Sequence, residues 1–147
     1  QILSRRPKSL LLVDPWLPHD QVYPNNAAYD SLGAFEALFQ SVLERFKYNG
    51  LVTIERDRSS AAAFRRRPEI LDFVYIDAMH DVNSVQCDCT LWWPLIRPGG
   101  WLAGHDYCSH FPGVAEGVAA FCEQSGEKLS LLTQDEYRSW GIQKTER

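Results

Sequence analysis

The sequence is short of basic charge. Fifteen lysines and arginines stand against nineteen aspartates and glutamates, a formal net charge of −4. That balance gives no electrostatic case for nucleic acid, which calls for a positive patch or stripe to neutralise phosphates. "RRR" (65–67) is its one basic cluster and reads as the solvated end of a helix. No apolar run approaches the ~20 residues that a membrane span requires. Cysteine is sparse and badly spaced for chemistry: there are four, with no CxxC pair to suggest zinc or a redox centre. Cys87 and Cys89 are two apart on an expected helix, so they point roughly 200° apart and share no face. Free, reduced thiols and a cytoplasmic location are therefore expected. Internal repeats, linkers and low-complexity tracts are missing as well. The chain starts at Gln1, without Met, and "QILSRRPKS" reads as the end of a helix already under way, so a piece of a longer protein is the expectation.

What remains is ordinary material for one globular domain. At 147 residues and 45% hydrophobic content, the chain is long enough to bury a single sizeable core. "SLLLVD" (9–14) is a continuous apolar run stopped by "DPW", the pattern of a strand buried on both faces. A loop rich in Pro, Asn and His follows, and apolar residues from 27 to 47 then recur at helical spacing. "YNG" ends that helix at Gly50. "LVTIE" is a second strand, "SSAAAFRR" a short helix, and "ILDFVYID" a third strand of buried type. "VNSVQCDCTLWWPLI" predicts a helix closed by a sharp "RPGG" turn. "WLAGHDY" is a fourth strand and "GVAEGVAAFCEQSG" a glycine-stopped helix. "LSLLT" and "YRSWGIQK" predict a closing antiparallel hairpin. Strands alternating with helices imply parallel βαβ units in a Rossmann-like, doubly wound α/β sheet.

In such sheets ligands sit beyond the carboxyl ends of the strands, where Asp14, Glu55, Asp77 and Asp106 fall. Two of these ends repeat a theme. "FVYIDAMHD" (73–81) and "WLAGHDY" (101–107) each run from apolar strand into an aspartate with a histidine beside it. If these strands are neighbours, their backbones lie about 4.8 Å apart, and Asp77 and Asp106 can converge on one hard cation such as Mg²⁺. His80 or His105 could then serve as a general base. The plainer reading makes the histidines loop caps and the aspartates helix N-caps. Asp14 could bind ribose hydroxyls or simply make a turn with Pro15. Trp16, beside it, could wall a pocket. Trp92, Trp93 and Trp101 read as packing between helix and sheet.

Taken together, "LLLVDPW", the block "LDFVYIDAMHDVNSVQCDCTLWWPLIRPGGWLAGHDY", "GVAEGVAAFC" and "SWGIQK" resemble the class I S-adenosylmethionine-dependent methyltransferases. The match is to the subgroup with Ile-Asp-x-x-His and Gly-His-Asp-Tyr strand ends. The resemblance implies a seven-stranded sheet with a terminal antiparallel hairpin. It also implies cofactor-binding roles for Asp14, Trp16, Asp57, Ser59 and Asp77, and a divalent cation, Mg²⁺, on Asp77, Asp106 and His105. Catalytic roles fall to His105 and His80, with His105 ahead, in the transfer of the cofactor's methyl group to a hydroxyl of a small-molecule substrate. A homo-oligomer is compatible with the sequence. The family's first strand and Gly-x-Gly loop have no counterpart, so 1–147 is expected to be a single partial domain. It should lack the strand between those ending in Asp14 and Asp77, and alone bind S-adenosylmethionine weakly or not at all. Two other readings stay open: a non-catalytic binding module of the same fold, and a metal-dependent hydrolase or hydroxylase-like enzyme using the same Asp and His cluster.

Overall fold

The computed structural model describes residues 7–18, 32–68 and 70–145. Contacts group the chain into two compact units, 1–62 and 63–147. In the first, β1 (Leu10–Asp14) lies parallel to β2 (Val52–Arg56), in register from Leu10 opposite Val52 to Asp14 opposite Arg56. Parallel neighbours need a long crossover, and α1 (Leu32–Phe46) supplies it. The helix expected over 27–47 is thus described from residue 32 onward, its first positions and most of the preceding loop lying outside the described residues. A short helix, α2 (Ser59–Phe64), follows β2.

The second unit carries a four-stranded sheet in the order β3-β4-β6-β5. β3 (Leu71–Ile76) and β4 (Ile96–Gly104) are parallel, connected by α3 (Val82–Trp92) and a 3₁₀ turn (Trp93–Leu95). After α4 (Pro112–Ser125), β5 (Leu131–Leu132) and β6 (Trp140–Gln143) add antiparallel strands, as the hairpin pattern predicts. Helix ends follow local chemistry. The Asp81 side chain accepts from Ser84 N–H at the start of α3, filling one of the orphan donors of a first turn. At the other end of the helical pair, Gly126 closes α4 in the left-handed conformation at φ 73°.

The core lies between this sheet and the two helices: Val85 and Cys89 of α3, Val114, Val118 and Phe121 of α4, Ile96 and Leu102 of β4, Trp140 and Ile142 of β6. Gly117 lets α3 and α4 approach, since a Cβ there would sit 2.8 Å from Val82 O and from Val85 Cβ. Trp92 is buried and Trp93 packs edge-on to Phe121 at 5.5 Å, so both serve packing. Cys87 is exposed and Cys89 buried on α3, on different faces as their spacing requires.

Among the described residues the structure has the six strands read from the sequence, in two sheets, with β1 pairing only with β2 and β3 only with β4, so neither Asp14's strand nor Asp77's has a further parallel neighbour. Two expectations differ from the structure. "RPGG" is no free turn: it belongs to β4, where the ladder shifts register between Leu71 and Phe73 and Gly99 takes φ 75°. Backbone pairing has overridden turn chemistry and made a bulge. β3 is not buried on both faces. Val74 and Ile76 pack on the core, whereas Phe73 and Tyr75 are 48% and 41% exposed, stacked on each other. No helix among the described residues is long and apolar enough to cross a membrane.

Candidate functional site

In the first unit the carboxyl end of β1 is a tight, braced turn. Asp14 Oδ1 accepts from Trp16 N–H at 2.5 Å, and Trp16 adopts φ 45°, a left-handed conformation that residues with a Cβ rarely take. Trp16 itself is buried, its ring 4.9 Å from that of Phe39. Arg56 ties the turn down. Its guanidinium donates to Glu36 Oε2 at 2.6 Å, reaches Pro15 O and Trp16 O at 3.4 and 3.5 Å, and lies over the Phe39 ring. Hydrogen bonds from Gln40 first and Arg56 second hold the Glu36 carboxyl below its usual range. Asp57 N–H donates to Asp14 O at 3.2 Å, so two of the sequence-predicted residues, Asp14 and Asp57, meet, with Ser59 two residues on at the start of α2.

In the second unit the ends of β3 and β4 bring together Asp77, His105 and Asp106, each offering a ligand atom within 4.8 Å of the others. Adjacent parallel strands explain the convergence: Ile76 pairs with Gly104, and His105 N–H donates to Ile76 O. Gly104 is needed there because a Cβ would lie 2.6 Å from Ile76 O and 2.6 Å from the Trp140 ring. Asp106 then turns sharply, with φ 61°, a conformation aspartate tolerates better than most residues. Its buried carboxylate is gripped from both sides. Oδ2 is 3.0 Å from His80 Nε2, and Oδ1 is 3.2 Å from His105 Nδ1. The His80 ring stacks on Phe111 at 4.1 Å. The His80 and Asp106 side chains are 14% and 12% exposed, the His105 side chain 33%. Burial and bonding thus give the two histidines different surroundings.

Two carboxylates and an imidazole form a donor set that fits a divalent cation; the oxygens suit Mg²⁺ and Mn²⁺, and the nitrogen adds preference for a transition metal. Asp77, the most exposed of the three, completes the set from β3. The pocket around them is lined also by Ile76, His80, Val85, Val114 and Trp140. Asp135 is held below the usual carboxylate range by a hydrogen bond from Thr133, with smaller contributions from its own backbone N–H and from Arg138.

Sequence reasoning missed Arg56, Phe111 and Trp140. Their roles rest on contacts distant along the chain, and only Trp140 left a trace, in the "SWGIQK" stretch.

Residues 2–107 match a family described as a methyltransferase domain. No curated protein matches the chain. Solved structures with a similar fold include a Corynebacterium glutamicum protein (12% identity, TM-score 0.64, 95% of this chain and 62% of that one). An O-methyltransferase family protein from Burkholderia thailandensis is similar at 13% identity and TM-score 0.63, over 98% of this chain and 46% of that one. The O-methyltransferase from Bacillus cereus in complex with SAH is similar at 15% identity and TM-score 0.58, over 92% of this chain and 74% of that one. The chain therefore spans less than two thirds of the length of the first two.

Proposed function

Because the chain belongs to the methyltransferase-domain family of class I, S-adenosylmethionine-dependent enzymes, we propose that it carries the catalytic face of an enzyme that methylates a hydroxyl of a small molecule with help from a divalent cation. The observation that carries this reading is the convergence of Asp77, His105 and Asp106 at adjacent strand ends. A cation held there supplies the positive charge that lowers a bound hydroxyl's pKa and orients it.

The residues divide the work by burial. Asp77 and Asp106 are the carboxylates that hold the cation, and His80, bonded to Asp106 and wedged against Phe111, orients that carboxylate rather than meeting substrate. His105 is the more exposed ring. With Nδ1 bonded to Asp106, its one lone pair is on Nε2; as proton acceptor His105 therefore stands beside the cation on Asp77 and Asp106 rather than ligating it. On the first unit, Asp14, Trp16, Asp57 and Ser59 are the proposed cofactor side. There the left-handed Trp16 and the Arg56 brace leave the second Asp14 oxygen for a ribose hydroxyl. The solved Bacillus cereus relative carries SAH, which supports S-adenosylmethionine as the methyl donor.

The test is calorimetry of the intact protein with S-adenosylmethionine, with and without Mg²⁺ or Mn²⁺, followed by methyl-transfer assays on catechols and sugars. Cofactor binding with cation-dependent turnover, lost in Asp77→Asn, is expected. Turnover unchanged by chelation removes the cation from the mechanism. Cofactor binding without turnover on any hydroxyl substrate favours the binding-module reading.

A further inference from the structure

Among the described residues, one buried side-chain polar atom has no hydrogen-bond partner: the indole nitrogen of Trp140. The residue is 1% exposed. A bare buried N–H is unfavourable, and such donors are rare unless something outside the protein chain satisfies them. Phenylalanine would fill much of the same space without burying a donor, so packing alone does not account for the indole.

Its position places the ring beside the candidate site. Trp140 opens β6 directly opposite Gly104, the last residue of β4 before His105 and Asp106. The ring covers Gly104 closely enough that a Cβ there would meet indole atoms at 2.6 and 2.7 Å. It lines the pocket that Asp77, His80, His105 and Asp106 also line. An indole N–H donates and never accepts, so it is no ligand for a cation; it calls for an oxygen. No acceptor among the described residues reaches the indole nitrogen, so the oxygen it calls for would enter with a ligand.

We infer that Trp140 is a positioning residue for the Asp77, His105 and Asp106 cluster: its indole N–H donates to an oxygen, water or hydroxyl, coordinated by a cation held there. The inference rests on the cation reading. It assigns the buried tryptophan the role that groups outside the ligand set commonly play, orienting what the metal binds; loss of such partners weakens metal binding or activity about 10–100-fold.

The experiment is an Mg²⁺ titration of the intact protein, followed both by calorimetry and by the ¹⁵N-labelled indole resonances, with Trp140→Phe used to assign the Trp140 signal. The expected result is a shift of that signal at the calorimetric midpoint and about tenfold weaker Mg²⁺ binding in Trp140→Phe. The Asp77→Asn variant should leave the signal at its metal-free position throughout. Mg²⁺ binding by the wild type with an unmoved Trp140 signal overturns the inference while leaving the cation reading intact. If the wild type binds no Mg²⁺, the cation reading fails and the inference fails with it. Should Trp140→Phe not fold, the signal that follows Mg²⁺ in the wild type and not in Asp77→Asn still decides, identified by its contacts to Gly104.

Discussion

Replacing Asp106 first by asparagine and then by alanine separates what its carboxylate does for the fold from what it does for a ligand. Asparagine keeps the size, keeps an acceptor for His80 and tolerates φ 61°. It loses the charge. A hydrogen bond to a charged partner contributes about 1.5–3 kcal/mol and one to a neutral partner about 0.5–1.5, so Asp106→Asn should cost about 1 kcal/mol. For a chain of this length that lowers Tm by about 2–4 °C. Alanine removes the carboxylate acceptor facing His80, about 1–3 kcal/mol at a buried site, and puts an unassisted Cβ in the left-handed region, about 1–2 kcal/mol more. Asp106→Ala should therefore melt about 5–15 °C below the wild type. Circular-dichroism melts in the absence of cation read both values, and Mn²⁺ calorimetry should show at least about tenfold weaker binding in each variant. An alanine variant as stable as the asparagine variant would refute the account of the turn and of His80. Wild-type Mn²⁺ affinity in Asp106→Asn would remove that carboxylate from the cation site.

Two further outcomes follow from the second unit. Asp81 caps α3, so Asp81→Ala should cost about 1 kcal/mol; hydrogen bonds from Ser84 hold the Asp81 carboxyl below its usual range. A depressed folded-state pKa means the contribution is complete above the unfolded value and is lost as pH falls through the folded one. The Tm gap between wild type and variant should thus be constant near neutrality and close in acid, and a gap that widens in acid would reverse the assigned direction. Burial pushes the thiols of Cys89 and Cys122 up, whereas Cys87 is exposed. Alkylation at neutral pH followed by peptide mapping should mark Cys87 first and Cys89 only on unfolding; early Cys89 modification would mean α3 opens locally.

The parts of this protein that were readable in its sequence are those set by short-range rules. The run of β3 into Asp77 and the Gly126 stop are each written within a few residues, and the pairing of β3 with β4 follows from the strand-helix-strand order through α3. The convergence of Asp77 with Asp106 needed only one further assumption, that their strands are neighbours. What escaped was non-local. The brace of Arg56 on the turn at Pro15 joins residues 41 apart. The place of Trp140 over Gly104 depends on an antiparallel partner that no local pattern names. "RPGG" misled because its turn chemistry is real, yet the ladder to Leu71 holds the segment in β4. Likewise the apolar run of β3 gave no sign that Phe73 and Tyr75 would face outward.

The close seating of Trp140 on Gly104 has an evolutionary consequence. Ile76 O and the indole leave no room for a methyl group at 104, so that position cannot drift on its own. A lineage that shrinks the indole gives up the buried donor yet still meets the backbone oxygen of Ile76 at 104, so glycine stays required there either way. Across descendants of this sequence glycine at 104 should outlast the tryptophan, and the places where the tryptophan alone is lost mark where the chemistry at the end of β4 has changed.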